Sequence, residues 1–332
     1  MTAKADDHSG GARAESGGLV ALGDVVVSLT SELPGPLGRG QRLVMRVAGA
    51  EANTAVGVRR LGLPVSWAGV VSGDGLGDLI IRELRAEGVT VRARRCSAPT
   101  ALLVRTQRTS EHSTVDYYRT GTAGATLTPA DLDLDLIRGA AMLHVTGVTP
   151  ALGRGPADAV RIAVETARRA GVEVSCALNH RGRLWSREEA RPELRWLVER
   201  SSIVFASMAE AEIVLGSRDG SGDAAETAVK LTALGPAEAV VSDGGGPVGV
   251  HADGTASLHR PPARQVIDTV GAGDALAAGY LAARMRGLPA AERIRVALAT
   301  ARFAVTTVGD WDGLPTWDEI AAARDTTDDT IR

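Results

Sequence analysis

From about residue 140 onward, apolar residues alternate between short continuous runs and stripes at helical spacing. The runs Ala141–Val145, Val172–Cys176, Ser202–Phe205 and Ala239–Val241 read as strands. Between and after them, apolar positions three and four apart predict helices over Pro156–Ala170, Glu188–Glu199, Met208–Leu215 and Ala224–Leu234. Such alternation predicts a parallel sheet covered by helices on both faces. The first third is less regular. Leu19–Leu29 is a strand-like run with Gly23-Asp24 inside it, and a Pro/Gly loop (Leu33–Gly40) separates it from an extended piece at Leu43–Val47. A small-residue helix then leads to Gly62, followed by a strand at Val65–Val71 and an amphipathic helix at Leu79–Glu87, stopped by Gly88. Over residues 89–119, Val, Thr, Arg and Tyr alternate as in antiparallel strands with polar faces. Late in the chain, Ile294, Ala297, Leu298, Ala301 and Val305 mark one more helix face, ended by Gly309-Asp310.

This pattern predicts one α/β domain over residues 18–320, with a mostly parallel central sheet and helices on both faces. Residues of about 24–48 and 89–125 are expected to form a small β lid. Residues 1–17, rich in Gly, Ser, Ala and charge, read as a disordered tail, and residues 321–332 as a polar C-terminal tail.

The stretch Val266–Gly287 carries the strongest chemical signal. Val266 and Ile267 read as the end of a strand, Gly271-Ala272-Gly273 as a tight turn, and Asp274 as the opening of a helix. A glycine turn at a helix N-terminus offers free N–H groups to an anion. Asp274 there either caps the helix or takes a proton from a hydroxyl while the amides stabilise a transferred phosphoryl group. The turn is not a dinucleotide fingerprint, because Leu276 stands where a third small residue is needed. No G-x-x-x-x-G-K-[ST] occurs, so a P-loop is excluded.

Composition narrows the classes. The 332 residues carry a formal charge of −3 with scattered Lys and Arg, and only 3% are aromatic, which speaks against nucleic acid. Cys96 and Cys176 make neither a disulfide framework nor a metal spacing, and a reducing, cytoplasmic setting is expected. No signal peptide is seen, and no apolar run approaches the roughly 18 residues of a membrane span.

The motifs G-A-G-D (Gly271–Asp274), preceded by Asp268-Thr269, and Gly49-Ala50-Glu51-x-Asn53 resemble those of the ribokinase-like (PfkB-type) carbohydrate kinases. The resemblance runs from about Leu19 to Trp317. Within that family, Tyr117–Ala123, Leu143–Leu152, Asn179–Ser186 and Gly309–Thr316 are most similar to 2-keto-3-deoxygluconate kinases. It implies a ribokinase-like three-layer sandwich and transfer of phosphate from ATP to a sugar hydroxyl, with Asp274 as general base and Gly271, Ala272 and Gly273 as the anion hole. It implies substrate contacts at Gly49, Asn53, Tyr117, Arg119, Arg181 and Asp310. Arginine forks suit the carboxylate of a sugar acid. On the nucleotide side it implies Ser207, Ser242, Gly244, Gly246 and Gly273. Glu210 would place Mg2+ through water, and Asp268 would belong to a loop holding a monovalent cation such as K+. A homodimer through the β lid is also implied.

Five positions depart from the pattern: Ala177 for an aspartate, Ser242 and Pro247 for a lysine and a glycine, Leu103 for a tyrosine, and Gly182 for a proline. The rivals to a sugar-acid kinase are therefore a kinase for a neutral sugar, amino sugar or nucleoside, and a catalytically degenerate ligand-binding relative.

Overall fold

The computed structural model describes residues 17–109, 112–216, 222–261 and 266–325. In chain order the elements begin with β1 (Leu19–Leu22), β2 (Val26–Ser31), β3 (Leu43–Ala48), α1 (Ala50–Arg60), β4 (Val65–Ser72), α2 (Gly75–Ala86), β5 (Thr90–Cys96), β6 (Leu102–Gln107) and β7 (Ser113–Tyr118). There follow α3 (Leu134–Arg138), β8 (Met142–Thr146), α4 (Arg154–Arg169), β9 (Glu173–Ala177), α5 (Arg187–Arg200), β10 (Ile203–Ser207), α6 (Met208–Leu215) and α7 (Ala224–Thr232). The last are β11 (Glu238–Ser242), β12 (Val248–Ala252), β13 (Thr255–His259), α8 (Ala272–Met285), α9 (Ala290–Ala304) and α10 (Trp317–Asp325).

The large sheet has the order β13-β12-β11-β10-β9-β8-β1-β4-β5. It is parallel from β5 to β11, and β12 and β13 extend it antiparallel. Alternate residues of its strands feed two cores. Leu19, Ala21, Trp67, Met142 and Phe205 pack under α1, α2, α8 and α9 on one face. Val20, Leu22, Leu143, Val145 and Val174 pack under α4, α5, α6 and α7 on the other. Central strands buried on both faces have no polar side to show, which is why they read as continuous apolar runs. The small residues of α8 let helices approach closely. A Cβ on Gly279 would stand 2.7 Å from the Cα of Ala297 in α9, and one on Gly57 of α1 would stand 2.5 Å from the Cβ of Ala278.

A four-stranded sheet, β3-β2-β6-β7, forms the lid. Two expectations change here. Leu19–Leu29 is not one strand: it breaks at Gly23-Asp24, with β1 in the large sheet and β2 in the lid. And β5 is not lid but the edge of the large sheet, paired parallel to β4 through the α2 crossover, so residues 90–96 leave the predicted lid segment. Three further differences are local. Val266 and Ile267 are exposed and outside any strand, held to Val305 O by the Ile267 amide. The hairpin of β12 and β13 has no counterpart among the predicted strands. The C-terminal tail begins inside α10, whose Ile320 is 2% exposed. Of the predicted N-terminal tail, residues 1–16 lie outside the described residues, as do residues 326–332 at the other end.

Candidate active site

Strand order reverses between β1 and β8, and ligands of open α/β sheets gather at the carboxyl ends beside such a point. A cleft of about 480 Å³ opens there, floored by the ends of β9, β10 and β11 and the start of α8 and roofed by the lid. Because side chains alternate across a strand, one lid face (Val26, Ser28, Arg46, Leu103, Arg105 and Tyr117 among others) looks into it.

The floor is built around α8. The helix starts at Ala272, two residues earlier than expected, and Gly271 is its N-cap with φ +73°. A side chain at Gly271 would be strained by that φ and would meet Asp310 O at 2.3 Å. Asp274 therefore sits in the first turn. It does not cap the helix, since no side chain caps this N-terminus. Its carboxylate instead accepts from Asn53 Nδ2 at 2.8 Å and Asn179 Nδ2 at 3.1 Å. The amides of Gly273 and Asp274 have no acceptor among the described residues. A Cβ on Gly273 would meet no protein atom within 4 Å. The corner thus presents unengaged N–H groups, a bare backbone and one carboxylate at the same mouth.

Asp274 is 7% exposed. Burial raises its pKa, opposed by the Asn53 amide, the charge of Arg181 and the Asn179 amide. Asp310 is coupled to it. Burial and then the charge of Asp274 push the Asp310 carboxyl to about 7, although Asn53 Nδ2 also reaches it at 3.4 Å. Asn53 thus spans both acids, and its Oδ1 accepts from the Gly49 amide at 3.3 Å. Asn179 has φ 38°, a left-handed conformation that Asn tolerates better than most residues.

Most expected residues share this cleft: Gly49, Asn53, Tyr117, Arg119, Arg181, Ser207, Glu210, Ser242, Asp268, Gly271, Ala272, Gly273, Asp274 and Asp310 line it. Gly244 and Gly246 do not. They belong to the turn joining β11 to β12, closed by Gly246 N to Asp243 O at 2.7 Å. Arg119 stacks over the Tyr117 ring at 5.3 Å and lies 3.8 Å from the Asp24 carboxylate. Asp24 is buried, and burial raises its pKa, opposed by the charge of Arg119.

Glu210 forms a capping box with Ser207: its Oε2 accepts from Ser207 N at 2.8 Å, and Ser207 Oγ accepts from Glu210 N at 3.2 Å. Its Oε1 accepts from His180 N at 2.9 Å. No cluster of three or more metal-ligating side chains exists among the described residues. That donor set suits Mg2+, which keeps its waters and rides on phosphates with one or two protein carboxylates, and does not suit an all-protein cage. Asp268, expected in a loop that holds a monovalent cation, has its side chain engaged by protein donors. Both its oxygens are taken by Arg105, at 2.7 and 2.9 Å, and by the amides of Val270 and Gly309.

Sequence reasoning missed Asn179 and Arg105 as site residues. Asn179 opens the N-H-R-G-R-L-W-S stretch, which was a usable signal. Arg105 has none, because its partner lies 163 positions away.

Comparison with known proteins finds several likenesses over most of the chain. A model of the pfkB family carbohydrate kinases matches residues 18–317. A 2-dehydro-3-deoxygluconokinase of Bacillus subtilis (strain 168) is 32% identical over 288 residues, covering 83% of this chain and 86% of its own. A 5-dehydro-2-deoxygluconokinase of Geobacillus thermodenitrificans (strain NG80-2) is 27% identical over 308 residues, covering 91% of each. A solved E. coli structure in complex with ATP and Mg2+ superposes with a TM-score of 0.83 at 22% identity, over 93% of this chain and 99% of that one. Among the described residues no helix is long and apolar enough to cross a membrane.

Proposed function

The chain belongs to the pfkB family of carbohydrate kinases, and from that premise we propose that it moves the γ-phosphate of ATP to the terminal hydroxyl of a sugar acid, 2-keto-3-deoxygluconate or a close relative, giving the 6-phosphate. One observation carries the reading: the Asp274 carboxylate, oriented by two asparagine amides, shares a helix mouth with the unengaged amides of Gly273 and Asp274. Asp274 takes the proton of the acceptor hydroxyl as its oxygen attacks phosphorus. Asn53 and Asn179 aim the base, and their donated hydrogen bonds favour its ionised form against burial. The free amides of Gly273 and Asp274 meet the charge on the transferred group, a fixed stabilisation that needs no rearrangement during reaction. Mg2+, when bound, neutralises phosphate oxygens. Glu210, whose oxygens already accept from the Ser207 and His180 amides, would orient its waters with the remaining lone pairs, and Ser207 and Ser242, which line the cleft, would face the nucleotide.

Arg119 and Arg181 line the same cleft and supply the positive charge that a sugar-acid carboxylate needs. Two relatives named for keto-deoxygluconates at similar coverage support an acid acceptor and leave the position of the keto group to experiment. A panel of acceptors with ATP and Mg2+ tests this. Gluconate-type keto acids should turn over far faster than neutral sugars, amino sugars or nucleosides. Comparable rates on uncharged sugars would defeat the acid assignment.

A second copy of the chain fits the outer lid face. Met45, Leu29 and Val104 stand in one register row across β3, β2 and β6, opposite the cleft-lining residues. Met45 is 51% and nearby Tyr118 59% exposed. Sedimentation should give a dimer that Met45→Glu dissociates; a monomeric wild type would remove this part.

A further inference from the structure

Lid and anion corner meet at an ion pair that takes no part in the phosphoryl transfer itself. Arg105 projects from β6 and donates to both oxygens of Asp268, Nη1 to Oδ2 at 2.7 Å and Nη2 to Oδ1 at 2.9 Å. Asp268 is 4% exposed and stands three residues before Gly271. The same oxygens accept from the chain on either side of the corner. Oδ1 takes the Val270 amide at 3.2 Å, and Oδ2 takes the Gly309 amide at 3.4 Å. The 309–310 segment carries Asp310, whose carbonyl fills the space where Gly271 has no side chain. One carboxylate therefore joins three pieces of backbone: the lid, the loop that leads into α8, and the loop that leads into Asp310.

We propose that Arg105 is a positioning residue, a latch through which seating of the lid fixes the amides of the anion corner. A planar guanidinium engages both carboxylate oxygens at once, which fixes orientation as well as distance. When the lid lifts, Arg105 leaves. Asp268 then keeps a nearly buried charge with two backbone donors only, and the loop from Asp268 to Gly271 is free to shift. Closure thereby does two things at once: it shields the cleft from water and completes the phosphate-binding corner. An open enzyme lacks the geometry to hydrolyse its donor.

The kinetic arm rests on the kinase reading above; a second arm does not. Arg105→Gln should lower kcat about 100-fold, the scale of a 1 Å misplacement, with little change in KM for the acceptor. The double variant with Asp268→Asn should be no worse than either single one. Methylguanidinium should restore activity to Arg105→Ala and not to Asp268→Asn. Hydrogen exchange without any substrate should speed up at residues 268–274 in Arg105→Gln and stay unchanged in β10. If Arg105→Gln does not fold, Arg105→Lys, which keeps charge without the fork, is read the same way. A raised KM at unchanged kcat would make Arg105 a substrate contact and overturn the latch, as would unchanged exchange together with wild-type kcat. If wild type phosphorylates no acceptor while exchange still responds to Arg105, the kinase reading fails and the latch stands.

Discussion

The floor of the cleft and its roof are built by different rules. The floor is mostly backbone: strand ends, the N-terminus of α8, glycines without side chains, and asparagines that orient a carboxylate. The roof is side chains on alternate positions of a small antiparallel sheet, with Arg46, Leu103, Arg105 and Tyr117 pointing down. Backbone donors cannot be changed by substitution, so the floor keeps one chemistry. Side chains on a lid can be exchanged singly without disturbing the main core, so we expect a change of acceptor to appear there first. The departures from the kinase pattern fall on both sides of this division: Leu103 lies in the roof, Ala177 and Ser242 stand at strand ends in the floor, and Asp274 with its glycines is intact.

That contrast breaks most visibly at Asp274. Asp274→Asn should lower kcat by about 10³-fold, within the span for losing a general base. Acceptor binding by calorimetry should persist and the melting temperature should not fall, because the change removes a buried charge. Full loss of binding instead would mean that Asp274 only builds the pocket.

The next effect concerns the seam where floor and roof join. Glu51, buried in α1, accepts from Thr146 and Thr149 at 2.7 Å each, yet burial raises its pKa to about 7 from 4.5. Between those values the folded chain holds a proton that the unfolded chain has lost, so stability falls as pH rises through that window. The scale is on the order of 3 kcal/mol. The contribution is fully present below the unfolded value. Asp310, also raised to about 7, acts in the same direction. Urea midpoints at pH 5 and pH 7.5 should therefore differ less in Glu51→Gln than in wild type, and an equal difference would remove Glu51 from the account.

Smaller effects belong to the roof. Arg119→Lys keeps the charge beside Asp24 and loses the fork, so KM for a sugar acid should rise about tenfold, a loss of about 1.4 kcal/mol, while a neutral sugar is unaffected. An equal rise for both would mean that Arg119 shapes the cleft without reading charge. Leu103→Tyr should have the least effect, a few-fold change in acceptor KM with kcat held. A change in kcat would carry roof residues into the chemistry and blur the division.

How much of this was legible in the sequence follows from the same physics. Strands of the parallel sheet, buried on both faces, announce themselves as apolar runs, and the helix stripes of α4 to α7 lie close to their predicted bounds. Edges do not. In β5, Thr-Val-Arg-Ala-Arg-Arg-Cys has a half-exposed pattern that looks like a lid strand, and only pairing with β4 decides otherwise. The break at Gly23-Asp24 is hidden because β1 and β2 are both apolar although they serve different sheets. In the site, the anion corner was readable because its parts are consecutive. The hold of Asn179 on Asp274 spans 95 positions and that of Arg105 on Asp268 spans 163, distances over which no local pattern reports contact. Asp268 shows the same limit: its place in the motif gives no sign of the arginine that the fold brings to it.

A ternary structure with a sugar acid and a non-hydrolysable Mg·ATP analogue tests the central claim most directly. The account predicts the acceptor's terminal hydroxyl within about 3.2 Å of an Asp274 carboxylate oxygen, its far carboxylate on Arg119 and Arg181, and the γ-phosphate against the Gly271–Asp274 amides. A carboxylate turned toward Asp274, or a γ-phosphate bound away from those amides, would contradict it.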